Sequence, residues 1–401
     1  MIITDVTMST DVPQLLRAYY SQQLITTGEA LLAYAMHAEA KGPEGGAPGL
    51  NAGTTVVFTV IQNLPPTTAP LSEYRDVGGI ELVTSQHAVS VQEYGTAVGV
   101  TEKLNLTSAV GPVTDIIKTM LAPQMALTRD ILARNAVISG AQWRRFPGTA
   151  TSRAQIGTIG SENHTLTPEL VREAAFALNT RLVQPFSSPN GYVAIIHPAQ
   201  AHDLRAHPFW INVNQYTRPD LVLNGEIGTL FGVRFVQTTV ARLPNAGAQT
   251  ARTTLTQPVH PNQQHAVVAA TTGLQAGMEV TLHADASGPN GIDPTEEHLV
   301  IDRIDGNRLI FRAKATMPHE VGDYVTEGRD IFPVVFLGAT PSLGYARVLE
   351  PEVRFAAPTD KLGRRWHIGW YGIFGYGLIR PWAVQYLETA ASVTTLPAFP
   401  W

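Results

Sequence analysis

Apolar residues fall at Val113, Ile116, Ile117, Met120 and Leu121, then at Leu127, Ile131, Leu132 and Ile138. The first five match the i, i+3, i+4, i+7, i+8 spacing of a half-buried helix, so residues 112–139 are predicted as the longest helix of the chain. Pro112 suits the first turn, Asp115 the positive N-terminal end and Gly140 the stop. At 1.5 Å per residue the segment is roughly 40 Å long. Pro123 is expected to kink it or to begin a new turn. β-like runs precede this helix and a mixed α/β region follows it. With no catalytic cluster along its length, it reads as a spine.

Upstream, residues 54–61 (TTVVFTVI) are β-branched and aromatic, and residues 81–100 return as a partly alternating strand. Between them lies a loop with Pro65, Pro66, Pro70, Gly78 and Gly79. The pattern predicts a long two-stranded hairpin with a proline-rich tip. An isolated ribbon is marginal in water, so it is expected to lie on another surface. Residues 1–50 read as an extended arm with one helix, from Leu15, Leu16, Tyr19, Tyr20, Leu24, Leu31, Leu32 and Ala35, interrupted by Gly28. A Gly/Pro-rich loop follows at 41–53.

Downstream, Thr167-Pro168-Glu169 opens a helix running to about 183. Residues 192–197 (YVAIIH) form a buried strand, Pro198 starts a helix through 204, and residues 233–236 form the next strand. This order predicts an α/β layer domain. Residues 244–261 are loop-like. Five short strands then fall between 265 and 327, with a tight turn at Asp305-Gly306-Asn307, which predicts a small β-barrel or sandwich. It reads as inserted, because residues 334–337 resume a buried strand. Residues 353–355 and 365–379 are β-like, and glycines at 369, 372, 375 and 377 imply close backbone approach. Residues 381–387 close the chain.

The 401 residues suggest two or three folded units. Charged residues are 15%, against a usual level of about 25%. Either much of the surface faces other subunits, or Thr, Gln and Asn take the place of charge. A net charge of -5 excludes a generally basic nucleic-acid binder, though not a local basic patch. The absence of Cys excludes disulfides and thiolate chemistry and suits the cytosol. Residues 1–10 lack a signal-peptide pattern, and no run of 18 apolar residues predicts a membrane span.

His197, His202 and His207 recur every five residues, whereas a helical metal pair needs i, i+4. They read as strand-end and helix-surface histidines, and a metal site would further need Asp203 or a distant carboxylate. Asp285, Asp293, Glu296 and Glu297 lack calcium-loop spacing and read as a solvated acidic turn. Ser187 and Ser188 lack a hydrolase-elbow setting. Asn224-Gly225-x-x-Gly228 lacks the GK[ST] ending of a phosphate loop. Arg144, Arg145 and Arg153, with Arg364 and Arg365, are local basic clusters. They face nucleic acid, or are loop ends or inter-subunit salt bridges. No catalytic residue, cofactor site or metal site is assigned.

Five stretches, in this order, resemble the major capsid proteins of tailed bacteriophages with the Hong Kong 97-like fold, and more narrowly the family typified by enterobacteria phage N-four. They are residues 64–73 (LPPTTAPLSE), 92–106 (QEYGTAVGVTEKLNL), 192–204 (YVAIIHPAQAHDL), 225–238 (GEIGTLFGVRFVQT) and the ending at 362–387. Together they cover most of residues 15–240 and 331–390. Residues 256–330 depart from the short connection expected there and read as an inserted all-β domain exposed outside the shell.

The resemblance implies an α+β chain with an N-terminal arm (1–53), an extended hairpin loop with peripheral strands (54–105), and a peripheral domain with the spine helix (106–164). It further implies an axial domain (165–255 and 331–352) around the inserted barrel or sandwich (256–330), a peripheral long strand (353–381), and a C-terminal strand and tail (382–401). It implies a shell of hexamers and pentamers around double-stranded DNA, assembled in the host cytoplasm, with no membrane partner. A portal, and scaffold or decoration proteins, are further expected partners. The subunit-contact residues implied are Leu15, Tyr19, Tyr20, Leu64, Pro65, Pro66, Leu71, Glu73, Tyr74, Arg75, Tyr94, Gly225 and Glu226. Arg144, Arg145 and Arg153 are the DNA-facing candidates. Some members of this fold crosslink Lys to Asn between subunits, but no Lys lies between Lys41 and Lys103, so a noncovalent shell is predicted. The alternatives are an encapsulin-like compartment of the same fold, a sugar-binding role for the inserted domain, and, more remotely, a metal-dependent hydrolase using His197, His202 and Asp203.

Overall fold

The computed structural model describes residues 32–42, 55–62, 64, 66–68, 70, 74, 79–107, 113–157, 164–187, 190–210, 228–243, 251–284, 297–356, 362 and 364–392. The chain divides into two compact units, Met1–Ala136 with Pro341–Arg380, and Val137–Thr340 with Pro381–Trp401.

The first unit is built on a four-stranded sheet in the order Ala38–Lys41, Leu343–Ala356, Arg365–Leu378, Gln92–Thr101. The first pair is parallel and the other two are antiparallel. The spine helix is one element, Val113–Gly140, with Pro123 inside it. Its Ile117, Leu121, Ala122 and Met125 pack on Val100, Tyr345, Val353, Ile368, Trp370 and Phe374 of the sheet. Polar groups are matched across the same contact. The Trp370 indole donates to Gln124 Oε1 at 2.5 Å, and Gln124 Nε2 donates to Thr96 Oγ1 at 3.3 Å. A short helix, Glu102–Thr107, precedes the spine.

The predicted hairpin is present, but its return strand divides at Val91. Thr84–Ser90 pairs with Thr55–Ile61, whereas Gln92–Thr101 leaves the ribbon and pairs with Arg365–Leu378. Alternation in Thr55–Ile61 is strict, burying Val56, Phe58 and Val60. Val56, Phe58 and Val89 pack on Ala346 and Ile379 of the same unit. The glycines of the long strand permit this contact. A Cβ at Gly375 would strike the Ser90 carbonyl, and one at Gly377 would lie 2.6 Å from Val89 Cγ2. Sequence alone places Leu343–Ala356 as a β element only from residue 353. The structure shows one strand of 14 residues, with Pro351 at a break in its register between Leu349 and Glu352. Proline is tolerated in a strand at such irregularities.

In the second unit the main sheet runs Arg144–Arg145, Gln385–Thr389, Phe332–Leu337, Asn190–Ile196, Val233–Gln237, Thr229–Leu230. The helix Pro168–Thr180 starts where predicted, with the Thr167 side chain accepting from Leu170 N. It buries Val171, Ala174, Ala175 and Leu178 against Val334, Phe336, Ala194 and Ile196. The second helix, Pro198–Ala206, adds Ala201 and Leu204 to the same core.

The inserted region is a barrel. Its strands follow the order Ala251–Thr254, Tyr324–Glu327, Glu279–His283, Glu297–Asp305, Arg308–Phe311, His265–Val267. A bridge between Leu255 and Val268 closes the first strand onto the last. The strand Ala251–Thr254 lies in a stretch read as loop from sequence, because four residues show too little alternation to register. Gly306 takes φ 59° in the two-residue turn between Asp305 and Arg308, as the sequence there demands.

Candidate functional site

The arm reaches the first unit through a carboxylate that the sequence did not single out. Asp130, on the spine helix, is 1% exposed, and its Oδ1 accepts the backbone N–H groups of Ala33, Tyr34 and Ala35 at 3.0, 2.7 and 3.0 Å. Burial pushes the Asp130 pKa up against the opposing pull of those amides. Tyr34 is fully buried beside it. The chain then makes a 3-10 turn, Ala35–His37, and the strand Ala38–Lys41. The helical rhythm read through Leu32 and Ala35 therefore does not continue into a helix here. A carboxylate that satisfies three amides at once replaces the hydrogen bonds a helix would supply.

Of the contact candidates, Leu15, Tyr19, Tyr20, Pro65, Leu71, Glu73, Arg75, Gly225 and Glu226 lie outside the described residues. Leu64 (58%), Pro66 and Tyr74 (92%) are exposed on the hairpin side of the first unit. Ile61, Ile80, Leu82 and Val83, near them in sequence, are also more than half exposed. Tyr94 is half-buried instead, its ring 5.0 Å from that of Phe374. Strand Gln92–Thr101 also borders a cleft of about 690 Å³ lined by Gly95, Ala97, Gly369, Tyr371 and Arg354. Arg354 stacks 4.1 Å over the Tyr371 ring.

Arg144 and Arg153, two of the DNA-facing candidates, are mostly buried and pair with one carboxylate. Arg153 grips Glu388 through Nε at 2.9 Å and through its terminal nitrogen at 2.5 Å. Arg144 lies 3.7 Å from the same carboxylate, whose side chain is 0% exposed. Tyr386 donates to Glu388 Oε1 at 2.7 Å, and burial, reinforced by this carboxylate, drives its phenol pKa well up. A buried carboxylate needs such partners, and the two guanidiniums supply them. Arg145 is half-exposed and pairs with Glu173 at 2.5 Å.

The histidines do not converge. His197 caps the helix Pro198–Ala206: its Nδ1 accepts from Ala199 N at 3.1 Å, while Gln200 Oε1 accepts from His197 N. Burial, with Arg242 adding to it, pulls its pKa down to about 4. His202 is exposed, and Asp203 accepts from the backbone and hydroxyl of Ser392. Among the described residues no group of three His, Asp or Glu is placed to hold a metal. Glu297, read as part of a solvated acidic turn, is buried in the barrel. It accepts from Thr316 N at 2.6 Å, Thr316 Oγ1 at 2.8 Å and Met317 N at 3.4 Å, and lies 3.3 Å from His319 Nε2. Among the described residues no helix is long and apolar enough to cross a membrane.

Two bulky residues adopt left-handed backbone. Leu182 (φ 57°) follows the helix Pro168–Thr180, where Leu182 N bonds Asn179 O at 3.0 Å and Val183 N bonds Leu178 O at 3.1 Å. This is the glycine-preferring helix ending of Schellman type, yet the Leu182 side chain is 82% exposed. Phe231 (φ 51°) opens the turn into Val233–Gln237, is 41% exposed and stacks on Phe209 at 5.7 Å. Such backbone costs on the order of 1 kcal/mol or more for a residue of this shape.

No family model matches the chain, and no curated protein matches it. Solved structures do. A capsid structure of cyanophage P-SCSP1u is 13% identical, with a TM-score of 0.52, over 89% of this chain and 87% of that one. The capsid of Ralstonia phage GP4 is 12% identical, with a TM-score of 0.52, over 91% and 90%. The mature capsid of bacteriophage PhiM1 is 8% identical, with a TM-score of 0.51, over 90% and 88%. The identities are low and the coverage is nearly end to end, so what is shared is architecture: the chain has the Hong Kong 97-like fold of tailed-phage capsid proteins.

Proposed function

We propose that this protein is the major capsid protein of a tailed bacteriophage, assembling into hexamers and pentamers of an icosahedral shell around double-stranded DNA. The observation that carries the reading is a capsid fold matched over about nine-tenths of the chain. The narrower kinship with the phage N-four family rests on the five stretches quoted above. Exposed apolar side chains on the hairpin and the strained, exposed Leu182 support subunit contact, since neither feature stabilises an isolated chain. Leu64, Pro66 and Tyr74 are the described hairpin contacts; the arm belongs to the same contact system. The mechanism is burial of many modest surfaces repeated by symmetry. Packaged DNA is held without strong basic charge, in line with a net charge of -5. Portal, scaffold and decoration proteins complete the proposed partners, with assembly in the host cytoplasm and residence in the virion. Particles purified from expressing cells test this. Closed shells containing nucleic acid support it, and shells filled with a cargo protein favour the compartment reading. A ladder of multimers surviving boiling in detergent contradicts the noncovalent shell.

A further inference from the structure

Strand Gln92–Thr101 ends the sheet of the first unit, and among the described residues nothing pairs with its outer side. Its inner side runs ten consecutive pairs, Thr101↔Arg365 to Gln92↔Phe374, without a bulge. Eight of its ten residues are exposed. Soluble proteins blunt such an edge with Lys, Pro, a bulge or shortness, because its open N–H and C=O groups template pairing. The sequence QEYGTAVGVT has none of these, and its one charge is Glu93.

The strand is also complementary to itself. In an antiparallel pair related by a two-fold axis through Ala97, Ala97 faces its own copy. Gly95 then meets Gly99, and Glu93 meets Thr101. On the side that faces the spine helix, Tyr94 meets Val100 and Thr96 meets Val98. Aromatic and β-branched residues thus oppose one another on one face, and glycines, Ala97 and a Glu–Thr pair on the other, with no like charges opposed. An edge that matches its own reverse closes as a symmetric dimer.

We propose that two copies of this chain pair antiparallel along Gln92–Thr101, centred on Ala97, joining two four-stranded sheets into one. This names a specific contact within the shell-building reading and rests on it. Directly opposed residues in such a pair have Cα atoms about 4.5–5.5 Å apart, inside the disulfide range. The chain has no Cys, so Ala97→Cys gives a clean probe. In assembled particles under mild oxidant, Ala97→Cys yields disulfide-linked dimers on a non-reducing gel. Thr101→Cys, about 26 Å from its copy in this register, stays monomeric. Ala97→Lys, which opposes like charges, keeps the wild-type circular dichroism and weakens self-association about tenfold or more. Particles in which Ala97→Cys does not crosslink, or in which both variants crosslink equally, overturn the pairing and leave the shell standing. Specific Ala97→Cys dimers from a protein that never builds shells uphold the pairing and overturn the shell.

Discussion

The inserted barrel and the hairpin unit are both largely antiparallel β structure, and they treat their edges differently. The barrel closes through Leu255 and Val268, and Val280, Leu282, Leu299, Ile301, Leu309 and Phe311 fill it. Buried in it, Glu297 serves Thr316, Met317 and His319. The hairpin unit leaves Gln92–Thr101 open along one side and raises Ile61, Leu64, Ile80, Leu82 and Val83 into solvent. One region closes its strands on one another around a core of its own; the other keeps a strand edge and apolar surface available. If the chain builds a shell as proposed, that division would separate a module that only has to fold from a surface available to copies of itself.

The largest expected effect lies in the self-sufficient region. Phe311→Ala should cost the barrel about 3–5 kcal/mol, read by denaturant unfolding. Hydrogen exchange in Gln92–Thr101 should stay unchanged, and protection lost equally in both regions would mean that the two unfold as one. A pH effect of about 3 kcal/mol at most is expected from His197 in the second unit. Its folded pKa is about 4, against about 6.5 in the unfolded chain. As pH falls, the unfolded state takes the proton first, so stability should be level above pH about 6.5, decline between about 6.5 and 4, and be level again below. His197→Asn keeps a capping group and should remove that slope; a slope that persists places its origin elsewhere.

Asp130→Ala should cost about 2–3 kcal/mol by orphaning three buried amides, with exchange at Ala33–Ala35 as the local readout. Unchanged protection there would mean that strand pairing at Ala38–Lys41 alone holds the arm. Leu182→Gly should stabilise the isolated chain by about 1 kcal/mol, by relieving left-handed backbone, while weakening assembly. Stabilised chains that assemble as well as wild type would show that Leu182 makes no contact. The smallest effect on folding is expected at the hairpin: Leu82→Ser with Val83→Ser should move stability by less than about 0.5 kcal/mol yet reduce particle yield.

Period and punctuation made much of this fold legible in sequence. The spine, the Thr167-capped helix, the buried strand before His197 and the Gly306 turn all carry local signals. Missed elements lacked them: Ala251–Thr254 is too short for alternation to show, and Pro351 hides a long strand by sitting at its irregular point. The division at Val91 is set by partners elsewhere in the chain, since residues 81–100 read as one run whichever strands they meet. Charge partnerships were least visible. Arg153 and Glu388 stand 235 positions apart, and Asp130 finds the arm 95 to 97 residues away. Nothing in the composition of either neighbourhood announces such pairs.

A closed shell built by this chain would be visible directly by negative-stain electron microscopy of the purified protein. Closed particles, or rings of five and six subunits, are expected. A protein that stays a small, homogeneous species even with scaffold and portal supplied would contradict the shell.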